Sequence, residues 1–142
     1  MSLGTLVKKL TGRYADPAWF EAARKGDVDA VGAMIARGAK LDARDDHDDT
    51  ALTWAAVEGR PEVARILLEA GADPDLRQYE GATALMLAAD RGHLDVVREL
   101  VDAKAYLNLK HPGDYITALD FAARAGHKAV VDFLDESGAS WR

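Results

Sequence analysis

The apolar positions of this chain fall on a helical stripe that is repeated. Val63 and Leu67, Val96 and Leu100, and Val130 and Leu134 each stand four residues apart, the spacing that places two side chains on one buried helical face. Upstream of each stripe lies a pair of alanines: Ala22-Ala23, Ala55-Ala56, Ala88-Ala89 and Ala122-Ala123. Three residues after each pair comes a glycine, at Gly26, Gly59, Gly92 and Gly126, with intervals of 33, 33 and 34 residues. Two further markers run in the same register: Gly38-Ala39, Gly71-Ala72, Lys104-Ala105 and Gly138-Ala139, then Thr50-Ala51-Leu52, Thr83-Ala84-Leu85 and Thr117-Ala118-Leu119. Each unit is predicted to be a helix, a turn, a second helix and a loop. The threonine hydroxyl caps the first helix. The small alanines let neighbouring helices approach, and the glycine permits the left-handed conformation that ends a short helix. Pro61 suits the first position of a second helix.

These residues carry a resemblance. Residues 81–102 read Gly-Ala-Thr-Ala-Leu-Met-Leu-Ala-Ala-Asp-Arg-Gly-His-Leu-Asp-Val-Val-Arg-Glu-Leu-Val-Asp. The stretch resembles the ankyrin pattern, in which a Gly-x-Thr-Pro-Leu-His-x-Ala-Ala segment is followed by Gly-His. Residues 50–73 resemble it equally, and residues 17–42 look like an N-terminal capping repeat. The departures are consistent, with Ala51, Ala84 and Ala118 at the usual proline and Thr53, Met86 and Asp120 at the usual histidine. Lys104 replaces a turn glycine, which predicts local strain, and Asp48 stands where Gly81 occurs one repeat later. The resemblance implies an all-α fold, an ankyrin-repeat solenoid of four helix-turn-helix repeats joined by hairpin-like loops. Repeats are expected at about 17–44, 45–77, 78–110 and 111–142, after an N-terminal extension, 1–16, that is either a short amphipathic helix or a frayed tail.

Terminal repeats need polar outer faces. The position of Trp54, Leu87 and Phe121 holds Glu21 in the first unit, and that of Leu68 and Val101 holds Asp135 in the last. Lys128 stands where Pro61 and Leu94 occur. These substitutions predict a finished four-repeat stack that is monomeric, with Trp54 and Phe121 belonging to the core.

Composition narrows the function. Of 142 residues, 49% are hydrophobic, enough for a sizeable core in one domain. Charged residues make up 30%, both signs interspersed, for a net charge of -6. That balance argues against a nucleic-acid or anionic membrane partner, since both reward clustered Lys and Arg. The absence of cysteine excludes a disulfide framework, a thiolate zinc site and a cysteine nucleophile. No apolar run has the length of a signal peptide or a membrane span, so a soluble cytoplasmic protein is expected.

The sequence shows no catalytic constellation: it lacks a phosphate loop and a histidine metal motif, and its serines (Ser2, Ser137 and Ser140) are not in nucleophile contexts. No enzyme activity, cofactor or metal is therefore expected. His93 and His127 occupy the Gly-His turn, while His47 and His111 lie two repeats apart, too far to share a metal at helix packing distances of about 8–10 Å. The run Asp42-Ala43-Arg44-Asp45-Asp46-His47-Asp48-Asp49 is the one candidate for a divalent cation, since hard cations take oxygen ligands. It lacks the glycine and distal glutamate of an EF-hand loop, and a solvated acidic finger is the simpler reading. Asn108 resembles an asparaginyl-hydroxylase target, against the simpler reading of a loop-capping turn residue.

Partners of ankyrin proteins usually dock on the concave side formed by finger tips and inner helices. Carried over by position, that resemblance implies a protein-binding surface containing Arg44, Asp46, Asp49, Glu58, Arg77, Tyr79, Glu80, Asp90, Arg91, Asp114, Ile116 and Arg124, with His47, Val57, Ala82 and Lys110 beside them. An adaptor, scaffold or inhibitor is the leading expectation, and a cation-responsive module using residues 42–49 the alternative.

Overall fold

The computed structural model describes Leu3 and residues 16–141. Expectations for the remainder of the N-terminal extension lie outside the described residues. Eight α-helices occur among the described residues: α1 Pro17–Lys25, α2 Val28–Ala36, α3 Ala51–Glu58, α4 Pro61–Ala70, α5 Ala84–Arg91, α6 Leu94–Asp102, α7 Ala118–Ala125 and α8 Lys128–Glu136. They form four helix-turn-helix pairs. The inner helices α1, α3, α5 and α7 stack in one row and the outer helices α2, α4, α6 and α8 in a second, which is the expected all-α solenoid.

The repeated residues build each pair as their chemistry requires. Thr50, Thr83 and Thr117 are buried N-caps whose hydroxyls accept from the backbone N–H of Thr53, Met86 and Asp120 at 3.2, 3.3 and 3.4 Å. Two of the residues at the departed histidine position add a reciprocal bond. Thr53 Oγ1 accepts from Thr50 N at 2.8 Å, and Asp120 Oδ2 from Thr117 N at 3.0 Å, closing capping boxes. Gly26, Gly59, Gly92 and Gly126 end the inner helices in the left-handed conformation. Pro17 and Pro61 open their helices, where a missing N–H costs nothing.

The core runs between the two rows. Val63, Val96, Val130, Leu67, Leu100 and Leu134 are buried, as are Leu52, Leu85 and Leu119. Full burial of each such side chain stabilises by about 1.5–3 kcal/mol relative to exposure. Ala23, Ala56 and Ala89 are wholly enclosed, because the next inner helix packs on them; Ala123, on the last described inner helix, is exposed. Trp54, Leu87 and Phe121 are half-buried and pack against the core. Glu21, at the same position, forms ion pairs with Arg24 and Lys25 instead, and Asp135 is exposed where Leu68 and Val101 are half-buried.

Lys104 has φ of 66°, at the turn where Gly38, Gly71 and Gly138 also have positive φ. The strain expected from its sequence position is present.

Candidate partner-binding surface

Each loop between pairs is a short hairpin finger. Its defining bond runs from Asp45 N to Asp49 O (2.9 Å), from Gln78 N to Ala82 O (2.9 Å) and from His111 N to Ile116 O (2.8 Å). The third finger has one more residue than the other two and turns on Pro112-Gly113. Its left-handed residue is Tyr115, φ 58°, equivalent to Asp48 at φ 64° and Gly81 at φ 96°.

The fingers are tied together. Arg44 Nη1 donates to Asp48 O at 2.9 Å and to Arg77 O on the next finger at 2.7 Å. Arg77 Nη1 donates to Gly81 O at 2.8 Å. Gly81 lies against the ring of Pro112; a Cβ there would stand 2.4 Å from Pro112 Cγ. Below the third finger the His111 ring meets Phe121 edge-on at 5.8 Å, and its Nδ1 accepts from Gly113 N at 3.1 Å. The finger row is thus braced by side-chain contacts between one finger and the next.

The acidic first finger is organised internally. Asp45 accepts from Trp54 Nε1 at 2.7 Å and from the N–H groups of His47 and Asp49 at 2.9 and 3.0 Å. Asp49 accepts from Thr53 Oγ1 at 3.2 Å, and Asp48 pairs with Arg44 at 3.4 Å. Burial, assisted by neighbouring Asp45, raises the Asp49 carboxyl above its ordinary value despite the Thr53 bond. Among the described residues no group of three or more His, Asp or Glu side chains is placed to hold a metal ion.

The expected surface residues divide into two sets. Asp46, Glu58, Tyr79, Glu80, Asp90, Arg91, Asp114 and Arg124 are exposed. Arg124 lies 3.9 Å from Asp114, a solvent-exposed pair. Five others are buried or half-buried. Ile116 is 4% exposed and Ala82 7%, because each fills the base of its finger. Arg44 and Arg77 point back to backbone carbonyls, so they hold the fingers in place. Asp49 is half-buried beneath its finger. Sequence reading also passed over Tyr115, 70% exposed, and Trp141, 53% exposed. Tyr115 was concealed by the extra residue of its finger, which breaks the simple 33-residue alignment. Trp141 lines an open cleft of about 600 Å³ with Asp114, Ile116, Asp120, Ala123 and Arg124.

Two motifs kept in reserve by the sequence have structural roles. His93 Nε2 meets Val57 O at 3.0 Å and His127 Nε2 meets Asp90 O at 2.9 Å, each ring reaching back to the preceding repeat. Arg60 Nε does the same one repeat earlier, donating to Arg24 O at 3.0 Å. Asn108 Oδ1 accepts from Ser140 N at 2.8 Å, so its side chain secures a loop.

A family model for ankyrin repeats (three copies) matches residues 3–78 and again 74–141. The chain belongs to the ankyrin-repeat family, whose members are generally protein–protein interaction modules. No curated protein matches the chain. No helix among the described residues is long and apolar enough to cross a membrane.

Proposed function

We propose that this protein is a non-catalytic adaptor, scaffold or inhibitor that binds another protein through its finger tips and inner-helix ends. The bracing of the fingers supports this reading most directly: Arg44 joins the first finger to the second, and Pro112 seats the third on Gly81. A surface already held in one shape loses little conformational freedom on docking. Tyr79, Glu80, Asp90 and Arg91 project from that braced row and the helices beneath it, and tyrosine and arginine are the types that most often carry binding energy. The reading includes a cytoplasmic monomer, with residues 17–142 as the repeat domain and 1–16 as an extension, and no nucleic-acid or membrane partner.

The test is affinity capture with the intact chain, identification of the retained protein, and titration of that protein against surface variants. Arg91→Glu and Tyr79→Ala are expected to weaken binding, and Arg65→Ala and Arg98→Ala on the outer helices to leave it intact. Dominant loss from the outer-helix changes would move the site to the convex side.

A further inference from the structure

The charge that the fingers present differs from the charge they contain. Arg44 and Arg77 are engaged with carbonyl oxygens of their own and the neighbouring finger. The residues left at the tips of the second and third fingers are Tyr79 and Glu80, then Asp114 and Tyr115, all exposed. Each tip therefore presents a tyrosine next to a carboxylate. Tyr79 is 84% exposed and Tyr115 70%, and the two fingers adjoin through the Gly81–Pro112 contact. Lys110 stands at the base of the third finger, and the cation near its tip carboxylate is Arg124, 3.9 Å from Asp114 in a solvent-exposed pair that an incoming guanidinium would replace. A phenol face attracts a cation through its quadrupole, and the adjacent carboxylate attracts the same cation by charge and hydrogen bonding. Guanidinium serves both at once, since its plane stacks on a ring while its edge donates to a carboxylate.

We infer that the partner's docking element is a basic, arginine-bearing polypeptide segment laid across the tips of the second and third fingers, its guanidinium groups stacked on Tyr79 and Tyr115 and paired with Glu80 and Asp114. This rests on the proposed protein-binding role and specifies the chemistry of the partner. The tyrosines supply the arginine preference, while the carboxylates draw in any cationic segment.

The test uses the intact ¹⁵N-labelled chain and three capped heptapeptides in which glycine alternates with arginine, with lysine or with glutamate. Amide shifts are followed during titration. The arginine peptide is expected to shift residues at the two tips and to bind about threefold to fivefold more tightly than the lysine peptide, the glutamate peptide giving no saturable shift. Tyr79→Ala and Tyr115→Ala should each weaken the arginine peptide by about threefold to fivefold and the lysine peptide by less. Circular dichroism on each variant checks that the fold is kept. Equal binding of the arginine and lysine peptides, insensitivity to both tyrosines, or shifts confined to residues 45–49 would overturn the inference. A protein captured by the concave surface that needs Arg91 but not the tyrosines would overturn it too, leaving the binding role standing.

Discussion

Asp75 reaches across one repeat boundary to Tyr106, its Oδ1 accepting the backbone N–H of that residue at 2.9 Å. The same bond occurs on either side: Asp42 Oδ1 accepts from Asp73 N at 3.0 Å, and Asn108 Oδ1 from Ser140 N at 2.8 Å. A ladder of three short side chains thus secures the start of each loop to the loop before it. The need is for an oxygen acceptor at this place, which aspartate and asparagine both provide.

The two residue types differ in the cost of burial. Burial raises the Asp75 carboxyl above its ordinary value, Asp73 adds to the rise, and the Tyr106 N–H opposes it incompletely. A carboxyl raised in the folded state costs stability once it ionises, so its penalty is absent below the unfolded pKa and complete above the folded one. Asp75→Asn keeps the acceptor without the charge, as Asn108 already does. It is expected to be more stable than the natural protein at pH near 7, with an advantage that shrinks as pH falls through the carboxylate range, about 4. Asp75→Ala removes the acceptor and should cost about 1 kcal/mol. Urea denaturation of the three proteins at neutral and acidic pH measures both effects, and an advantage for Asp75→Asn that grew on acidification would contradict the burial argument.

Two of the helix-ending glycines provide a controlled comparison. Gly92 and Gly126 have φ of 75° and 82°, so alanine at either meets the same backbone penalty. They differ in surroundings: a Cβ at Gly92 would stand 2.5 Å from His127 Nδ1, whereas nothing lies within 4 Å of one at Gly126. Gly126→Ala should cost about 1–2 kcal/mol, the left-handed penalty alone. Gly92→Ala should cost more, because the His127 ring must move and give up its bond to Asp90 O. His127→Ala in the Gly92→Ala background should recover part of the difference. Thermal unfolding of the single and double variants decides it, and equal costs for the two glycines would show that the ring yields freely.

Lys104 invites the opposite change. Its φ of 66° is the conformation that glycine adopts at the same turn in the other pairs. Lys104→Gly is expected to stabilise by about 0.5–1 kcal/mol, the relief of left-handed strain exceeding the entropy that glycine gives up on folding. A loss of stability on chemical denaturation would mean that the lysine is held there by contacts outweighing its strain.

How much of this was legible depended on whether a residue's role is local. The repeat register, the threonine caps, the left-handed glycines and the strain at Lys104 follow from neighbours in sequence, and all are present. The core is equally readable: Leu85 is 2% exposed, and its replacement by alanine should cost about 2–5 kcal/mol. The surface was harder. Arg44 and Arg77 looked like interface cations because nothing in the sequence reveals that their guanidiniums reach backbone oxygens, one of them 33 residues away. Ile116 looked exposed because finger residues usually are, yet it closes the base of its hairpin, as Ala82 does in the second finger. Side-chain direction in hairpins depends on contacts that only assembly of the repeats creates.

That distinction between holding and touching can be measured at Arg44 and Glu80. Arg44 joins two fingers through the carbonyls of Asp48 and Arg77, while the Glu80 side chain projects from an exposed tip. Replacing Arg44 by alanine leaves both half-buried carbonyls without their charged donor, and hydrogen bonds to charged groups contribute about 1.5–3 kcal/mol. Arg44→Ala is therefore expected to lower stability by about 1–2 kcal/mol, the half-exposed setting reducing the full value. It should also speed amide exchange at Asp48 and Asp49 on the first finger and at Gln78 and Gly81 on the second. Glu80→Ala should change stability by less than about 0.5 kcal/mol and leave exchange unaltered, as surface substitutions generally do. Both bonds leave the single nitrogen Nη1; lysine restores the charge, but its Nζ lies one bond nearer the backbone, so Arg44→Lys should resemble alanine in exchange at the second finger. If Arg44→Lys instead protected both fingers as well as arginine does, the bracing would be a matter of charge alone, and the fingers would be less firmly ordered than the two hydrogen bonds require.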